Sequence, residues 1–353
     1  MGKINDIFRA FAPEYVRLHG NSMPMEHKKV IAAMINCKTE ENGSLVYECD
    51  ECGEKHLLFR SCGNRHCPQC QYHKSRQWLE RQLKRQLPGN HFMVTFTVPE
   101  EIRDFIRSHQ RLCYAALFAA SAEAMKKLAE DPKYIGGDMA GFFGVLHTWG
   151  RQLQYHPHIH YVVPGGALSS KDGRWHPSSP TFYLPVLALS LIFRAKFRDR
   201  MKKAGLFDQI PAEVWRKGWN VNCQAVGEAE GSIKYLAPYV FRVAISDSRI
   251  IKVEDGKVFF HYKEQKSNRL RTMVLGVMEF IRRFLQHVLP SGFMKVRYYG
   301  FLSPTSNVSL DEVRAMIELA YGFTVTTPKA EIDPLPPMVC KLCGIKLRYV
   351  FYQ

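Results

Sequence analysis

The sequence predicts an α+β fold, an antiparallel sheet packed on one face by helices and preceded by a helical, cysteine-rich module. Three observations predict it. Runs of period-two alternation rich in β-branched and aromatic residues, such as "HFMVTFTVP" (91–99), are separated by long helical patterns rather than by short turns. "MAGFFGVLHTWG" (139–150) and "QYHPHIHYVVP" (154–164) read as strands close enough to pair as a hairpin. Five of the ten cysteines fall within residues 46–75.

Taken in order, residues 1–45 read as helical, with "HKKVIAAMINC" (27–37) the clearest piece, and 46–75 as the cysteine-rich segment. A basic helix over 74–87 is stopped by Pro88-Gly89. The strand at 91–99 is followed by a helix filling 100–130, then by the two strands above. A helix is expected at 185–204, a strand at "WNVNCQAVG" (219–227) and a helix around 228–242. "RIIKVEDGKVFFHY" (249–262) reads as a hairpin turning at Asp255-Gly256. A helix at 273–288, a short strand "KVRYYGFLS" (295–303) and a helix opening at Ser309 complete the chain. Ser309 and Glu312 have capping-box spacing. The segments group as 1–90, 91–305 and 306–353.

Lys and Arg number 49 against 33 acids, a formal charge of +16, which suits a partner carrying many phosphates. The longest apolar run, "FYLPVLALSLIF" (182–193), is too short to span a bilayer and carries Pro185. Residues 1–15 carry charges where a signal peptide needs an apolar block, so a cytoplasmic protein is expected. Ten cysteines in such a protein point to metal or thiol chemistry rather than a disulfide scaffold.

Cys49-x2-Cys52 and Cys67-x2-Cys70, with 14 residues between them, have the spacing of two knuckles closing one tetrahedral zinc site. His56, Cys62 and His66 are close enough in sequence to replace a ligand or support a second ion. "CKLC" (340–343) is half a site: it either completes a second ion with Cys62 and His66 or is two free thiols.

In "HPHIH" (156–160), alternation along a strand places His158 and His160 on one face with Ile159 behind them; His156 shares their parity. Two imidazoles side by side on a rigid strand form a ready pair of metal ligands. His147, Gln152 and Gln154 compete for the third position. "KYLAPYVFR" (234–242) puts Tyr235 and Tyr239 one helical turn apart, with Pro238 expected to kink the helix. A tyrosine phenol can attack phosphorus and form a covalent intermediate. Trp78, Trp149 and Tyr298 are aromatic candidates for stacking on bases, although core packing is the commoner role for such residues.

The chain resembles the two-tyrosine HUH transposases of rolling-circle insertion sequences, the insertion sequence 91 family. The resemblance runs in one order through "CDECG…SCGNRHCPQCQ", "HFMVTFTVP", "LHTWGRQLQYHPHIHYVVPGG", "KYLAPYVFR" and "KVRYYGFLS". HUH denotes His, a bulky apolar residue, His: here His158, Ile159 and His160. It implies an HUH-nuclease sheet with the tyrosine helix docked across a divalent ion, Mg²⁺ or Mn²⁺. Relatives carry Gln or His at the position of His147, which favours His147 as third ligand. It further implies cleavage and rejoining of single-stranded DNA at element ends and target through a 5′-phosphotyrosine on Tyr235 or Tyr239, and a structural Zn²⁺ module. Among the basic residues carried by these segments, Arg65, Lys234 and Arg297 are the candidate DNA contacts. A plasmid replication initiator or relaxase would share this chemistry; a non-catalytic zinc-dependent DNA-binding protein would not. Recruitment of host replication proteins and the oligomeric state stay open.

Overall fold

In the computed structural model, the structure describes residues 3–240, 244–264, 267–322 and 337–352. Two helices open it, α1 (Lys3–His19) and α2 (Met25–Ile35), followed by strands β1 (Ser44–Cys49) and β2 (Lys55–Phe59) and helix α3 (Tyr72–Lys84). Strand β3 (His91–Thr97) leads to α4 (Arg103–Ser108) and α5 (Gln110–Glu130), so the helix expected at 100–130 is broken at His109. Then come β4 (Phe142–Trp149), β5 (Tyr155–Pro164), the small hairpin β6 (Gly166–Ser169) and β7 (Arg174–Pro177), and α6 (Val186–Lys203). Next are β8 (Asn220–Gly227), α7 (Glu230–Val240), β9 (Ile250–Glu254), β10 (Lys257–Lys263), β11 (Leu270–Gly276) and α8 (Val277–Leu285). The chain finishes with β12 (Val296–Tyr299), α9 (Leu310–Tyr321) and β13 (Leu347–Tyr352).

The central sheet has five antiparallel strands in the order β12-β4-β5-β3-β8. Its odd-parity residues on β5, Ile159, Tyr161 and Val163, join Phe96 and Phe193 in one core with α5 and α6. The other face is covered too, which corrects the expectation of helices on one face. Val145 and Val162 pack there against Trp78 of α3, Ile233 and Leu236 of α7, and Val313 and Ile317 of α9. That cover extends over only part of the sheet, and the uncovered part carries the histidines described below. Trp78 is buried and donates its indole N–H at 3.1 Å to the hydroxyl of the half-buried Tyr298, which packs against the same core.

One sequence expectation fails locally. Residues 273–276 are the end of β11, not the start of a helix; β11 pairs with β10 in the sheet β11-β10-β9, and the helix begins at Val277. The three sequence segments are also interwoven. Core residues of α1 and α2, such as Phe8 and Met34, pack with Phe280 and Phe284 of α8. β13 returns to pair with β1, giving a sheet β13-β1-β2. No helix is long and apolar enough to cross a membrane among the described residues. The capping box at Ser309 and Glu312 is present, with Glu312 N donating to Ser309 Oγ at 3.2 Å.

Two buried imidazoles away from the site tie stability to pH. Burial lowers His91 to about 4 and His287 to about 3. Both are neutral when folded, whereas the unfolded chain protonates near pH 6.5. Below that pH the unfolded state binds more protons, so stability falls on acidification toward the folded values, by at most about 1.4 kcal/mol per pH unit for each ring. Urea unfolding at pH 7 and pH 5 should show the lower midpoint at pH 5; a higher one contradicts this account.

Candidate metal and nuclease site

Three neighbouring strands share a polar-apolar-polar pattern in register. Ile159 of β5 stands opposite Phe96 of β3 and Leu146 of β4, and Phe96 stands opposite Val221 of β8; all turn toward the core with α5 and α6. The flanking polar residues therefore share the opposite face. One row runs His147, His158, Thr97, Asn220, and the next contains His160, Thr95 and Asn222. Thr95, Thr97, Asn220 and Asn222 were not singled out from the sequence. The repetition of "HIH" in "TFT" and "NVN" is the signal that marks them.

The structure brings His147, His158 and His160 together, with one ring nitrogen of each within 4.8 Å of the others. Gln152 and Gln154 line the cavity above them but are not in this cluster. His158 Nδ1 donates to the His156 carbonyl oxygen at 2.7 Å. That bond fixes the proton on Nδ1 and leaves the Nε2 lone pair for a ligand. His160 Nδ1 and Thr95 Oγ1 share a hydrogen bond of 2.9 Å, which orients the second ring the same way. Loss of water lowers His158 to about 3 and holds His147 and His160 well below the ordinary imidazole range. All three are thus neutral at physiological pH, the form that binds metal. This donor set fits a divalent ion. Thr95→Val removes the hydroxyl while keeping the shape of the strand residue. It should weaken Mn²⁺ binding about 10–100-fold in calorimetry, as loss of such supporting hydrogen bonds does; unchanged affinity would remove Thr95 from that role.

The histidines floor a cavity of about 880 Å³. Arg103, Arg151, Arg249 and Lys263 contribute basic side chains to its walls. None of the three basic residues named from the sequence lines it. Arg65 donates to the Phe293 carbonyl at 2.8 Å, and Arg297 lies over the Phe118 and Phe293 rings at 4.5 and 5.3 Å. Lys234 is exposed on α7, paired with Glu230 at 2.5 Å.

Helix α7 supplies the remaining wall. Ile233, Leu236, Ala237 and Val240 form a stripe at helical spacing that docks into the core with α3 and α9. Tyr235 falls off that stripe. It is 52% exposed, lines the cavity, and its ring centre lies 6.3 Å from that of His160. The helix runs to Val240, past Pro238. The side chain of Tyr239 lies outside the described residues.

The predicted single zinc site is not assembled from its four cysteines, and the pairs separate. Cys67 and Cys70 join Cys37 and Cys62, whereas Cys49 and Cys52 join Cys340 and Cys343. In the first cluster the sulfurs of Cys37 and Cys70, Cys62 and Cys70, and Cys37 and Cys67 are 3.2, 3.4 and 3.6 Å apart. Zn–S bonds of about 2.3 Å give tetrahedral edges of about 3.8 Å. Buried Asn5 on α1 donates to Cys67 Sγ at 3.5 Å and to the Met34 carbonyl at 2.8 Å, tying the cluster to the first two helices. His66 is buried beside Arg65 and Lys295 and belongs to neither cluster. Cys37 was missed because it stands alone, with no partner cysteine nearby in sequence.

Comparison with known proteins finds transposases. The family described as "Putative transposase" matches residues 141–309, and the "Transposase zinc-binding domain" matches residues 7–98. A "Putative transposase y4qJ" from Sinorhizobium fredii is 38% identical over 352 residues, covering 94% of this chain and 87% of the relative. The "Transposase for insertion sequence element IS801" of Pseudomonas savastanoi pv. phaseolicola is 25% identical over 348 residues, covering 91% of this chain and 82% of the relative. No solved structure matches. Matched in both its cysteine-rich and its histidine-bearing parts, and aligned along nearly its whole length with a transposase, the chain belongs to the insertion sequence 91 family of transposases.

Proposed function

We propose that this transposase cleaves and rejoins single-stranded DNA at element ends and target through a 5′-phosphotyrosine, in a rolling-circle reaction. The placement of Tyr235 beside the His147–His158–His160 cluster, inside one open basic cavity, carries the reading. His147, His158 and His160 would hold the divalent ion, which when bound polarises the scissile phosphate and offsets the charge that develops on it. Magnesium prefers oxygen ligands, so a softer ion such as Mn²⁺ suits three imidazoles better.

Tyr235 is carried on a helix whose apolar stripe is locked into the core, so its phenol is presented to the cavity at little further entropic cost. As it attacks, the phenol loses its proton to water, the bond from its oxygen to phosphorus forms, and the bond to the 3′ oxygen breaks. The released 3′-hydroxyl can attack a second phosphotyrosine in the reverse sense, with no external energy source. Tyr239 is proposed as the second phenol, allowing donor and target strands to be held in turn. In-line approach favours an unpaired strand, and the side chains of Arg103, Arg151, Arg249 and Lys263 are placed to follow its backbone. Cys37, Cys62, Cys67 and Cys70 are proposed to hold the Zn²⁺ of the matched zinc-binding domain.

A denaturing gel with 5′- and 3′-labelled single-stranded element ends and Mn²⁺ tests the reading. The expected products are a covalent adduct on the 3′-labelled fragment, whose new 5′ end carries the phosphotyrosine, and a 5′-labelled fragment released with a free 3′-hydroxyl. Cleavage without an adduct would assign the attack to water instead.

A further inference from the structure

Cys340 and Cys343 lie outside the matched zinc-binding region, and none of the chemistry above uses them. We propose that Cys49, Cys52, Cys340 and Cys343 hold a second Zn²⁺, in a split ribbon whose two knuckles come from distant parts of the chain.

The sulfur positions support four-coordinate binding. Cys49 and Cys343 are 3.3 Å apart, Cys52 and Cys340 3.7 Å, and Cys52 and Cys343 3.7 Å, close to the tetrahedral edge of about 3.8 Å expected for zinc thiolates. A disulfide needs sulfurs about 2.05 Å apart; these cysteines are all free.

The two knuckles are also built alike, although 288 residues separate Cys52 from Cys340. Each reads Cys-x-x-Cys-Gly, "CDECG" and "CKLCG". In the first, Gly53 N donates to Cys49 O at 2.9 Å and Cys49 N to Glu54 O at 2.9 Å. In the second, Gly344 N donates to Cys340 O at 2.9 Å and Cys340 N to Ile345 O at 2.7 Å. Both glycines take left-handed backbone angles, φ +68° and +76°, which a side chain would disfavour. The same turn aims an amide at sulfur, with Leu342 N donating to Cys340 Sγ at 3.4 Å, and His56 Nε2 lies 3.3 Å from that sulfur. By contrast, Cys70 of the other cluster is followed by Gln71, so the doubled glycine turn is particular to this pair.

A third observation shows why a crosslink is needed. The sheet β13-β1-β2 has little core of its own: Leu57, Leu58 and Phe59 on β2 and Tyr349 and Phe351 on β13 are all exposed. A small sheet that buries so little apolar surface depends on a metal or another staple. Zinc at these four thiolates would clasp the segment carrying β13 onto β1.

The test counts zinc per chain in full-length protein purified under reducing conditions without chelator. Two equivalents are expected for the wild type and one for Cys340→Ser/Cys343→Ser. One equivalent in the wild type, unchanged in that double variant, overturns the proposal. Because loss of fold in the variant would also release metal, wild-type protein is also treated with a thiol-alkylating reagent. Cys52 and Cys343 are exposed; as zinc ligands they should nonetheless resist alkylation at least about tenfold more before a chelator is added than after. Equal rates overturn the proposal, as does a mass lower by two hydrogens, the mark of a disulfide.

Discussion

His158→Ala lowers divalent-ion-dependent strand cleavage by about 10³-fold or more, while binding to the same single-stranded DNA stays within a few-fold. The ring it removes is oriented by the His156 carbonyl and stands opposite His147 across β4 and β5. Loss of one of three ligands forfeits several kcal/mol of transition-state charge stabilisation, and each 1.4 kcal/mol is about tenfold in rate. Arg103, Arg151, Arg249 and Lys263 are untouched, so the electrostatic hold on the backbone remains. His156→Ala is the control. It sits on the same strand and face but outside the three-ligand cluster, and alanine keeps the carbonyl that steers His158. It should cost far less activity. Equal losses in the two variants would mean that the strand, not the ligand set, had been damaged; full cleavage by His158→Ala would remove the metal role.

Tyr235→Phe/Tyr239→Phe abolishes the covalent protein–DNA adduct. Phenylalanine preserves the ring that meets His160 edge-on at 6.3 Å and deletes the hydroxyl. The substitution therefore probes the nucleophile with little effect on packing. Single variants report which phenol takes the first strand: the one whose loss removes the adduct on the donor end leads. Strand cleavage that persists in the double variant would exclude both phenols as nucleophiles.

The site was legible in the sequence where its chemistry is local. "HPHIH" announces its own geometry because a strand alternates, and the turn at Asp255-Gly256 is readable because Asp255 and Gly256 take positive φ, 49° and 68°. Tyr235 was visible as half of a spaced pair. The cysteine grouping was not legible, because sequence proximity favours joining Cys49–Cys52 to Cys67–Cys70, whereas the fold joins each pair to cysteines elsewhere. The end of β11 reads as helix because the strong apolar periodicity of α8 extends backwards over "MVLG" (273–276), part of a mostly exposed strand held by its pairing with β10. Of the basic residues expected to contact DNA, Arg65 and Arg297 pack against the fold, and the basic residues that line the cavity are Arg103, Arg151, Arg249 and Lys263.

The pairing of β1 with β13, Leu45 opposite Tyr352 and Cys49 opposite Leu347, has a consequence for the order of synthesis. β1 is the middle strand of its sheet, yet when it leaves the ribosome only the β2 side can be closed. Translation at about 5–20 residues per second leaves its other edge bare for tens of seconds before residues 347–352 emerge. An unpaired edge is an invitation to wrong partners and to slow, non-local closure. A chain stopped by a frameshift or nonsense codon between α7 and β13 retains every residue of the histidine cluster and the tyrosine helix but never completes this sheet. A copy shortened there would encode the histidine cluster and Tyr235 on a scaffold whose N-terminal module is left unfinished.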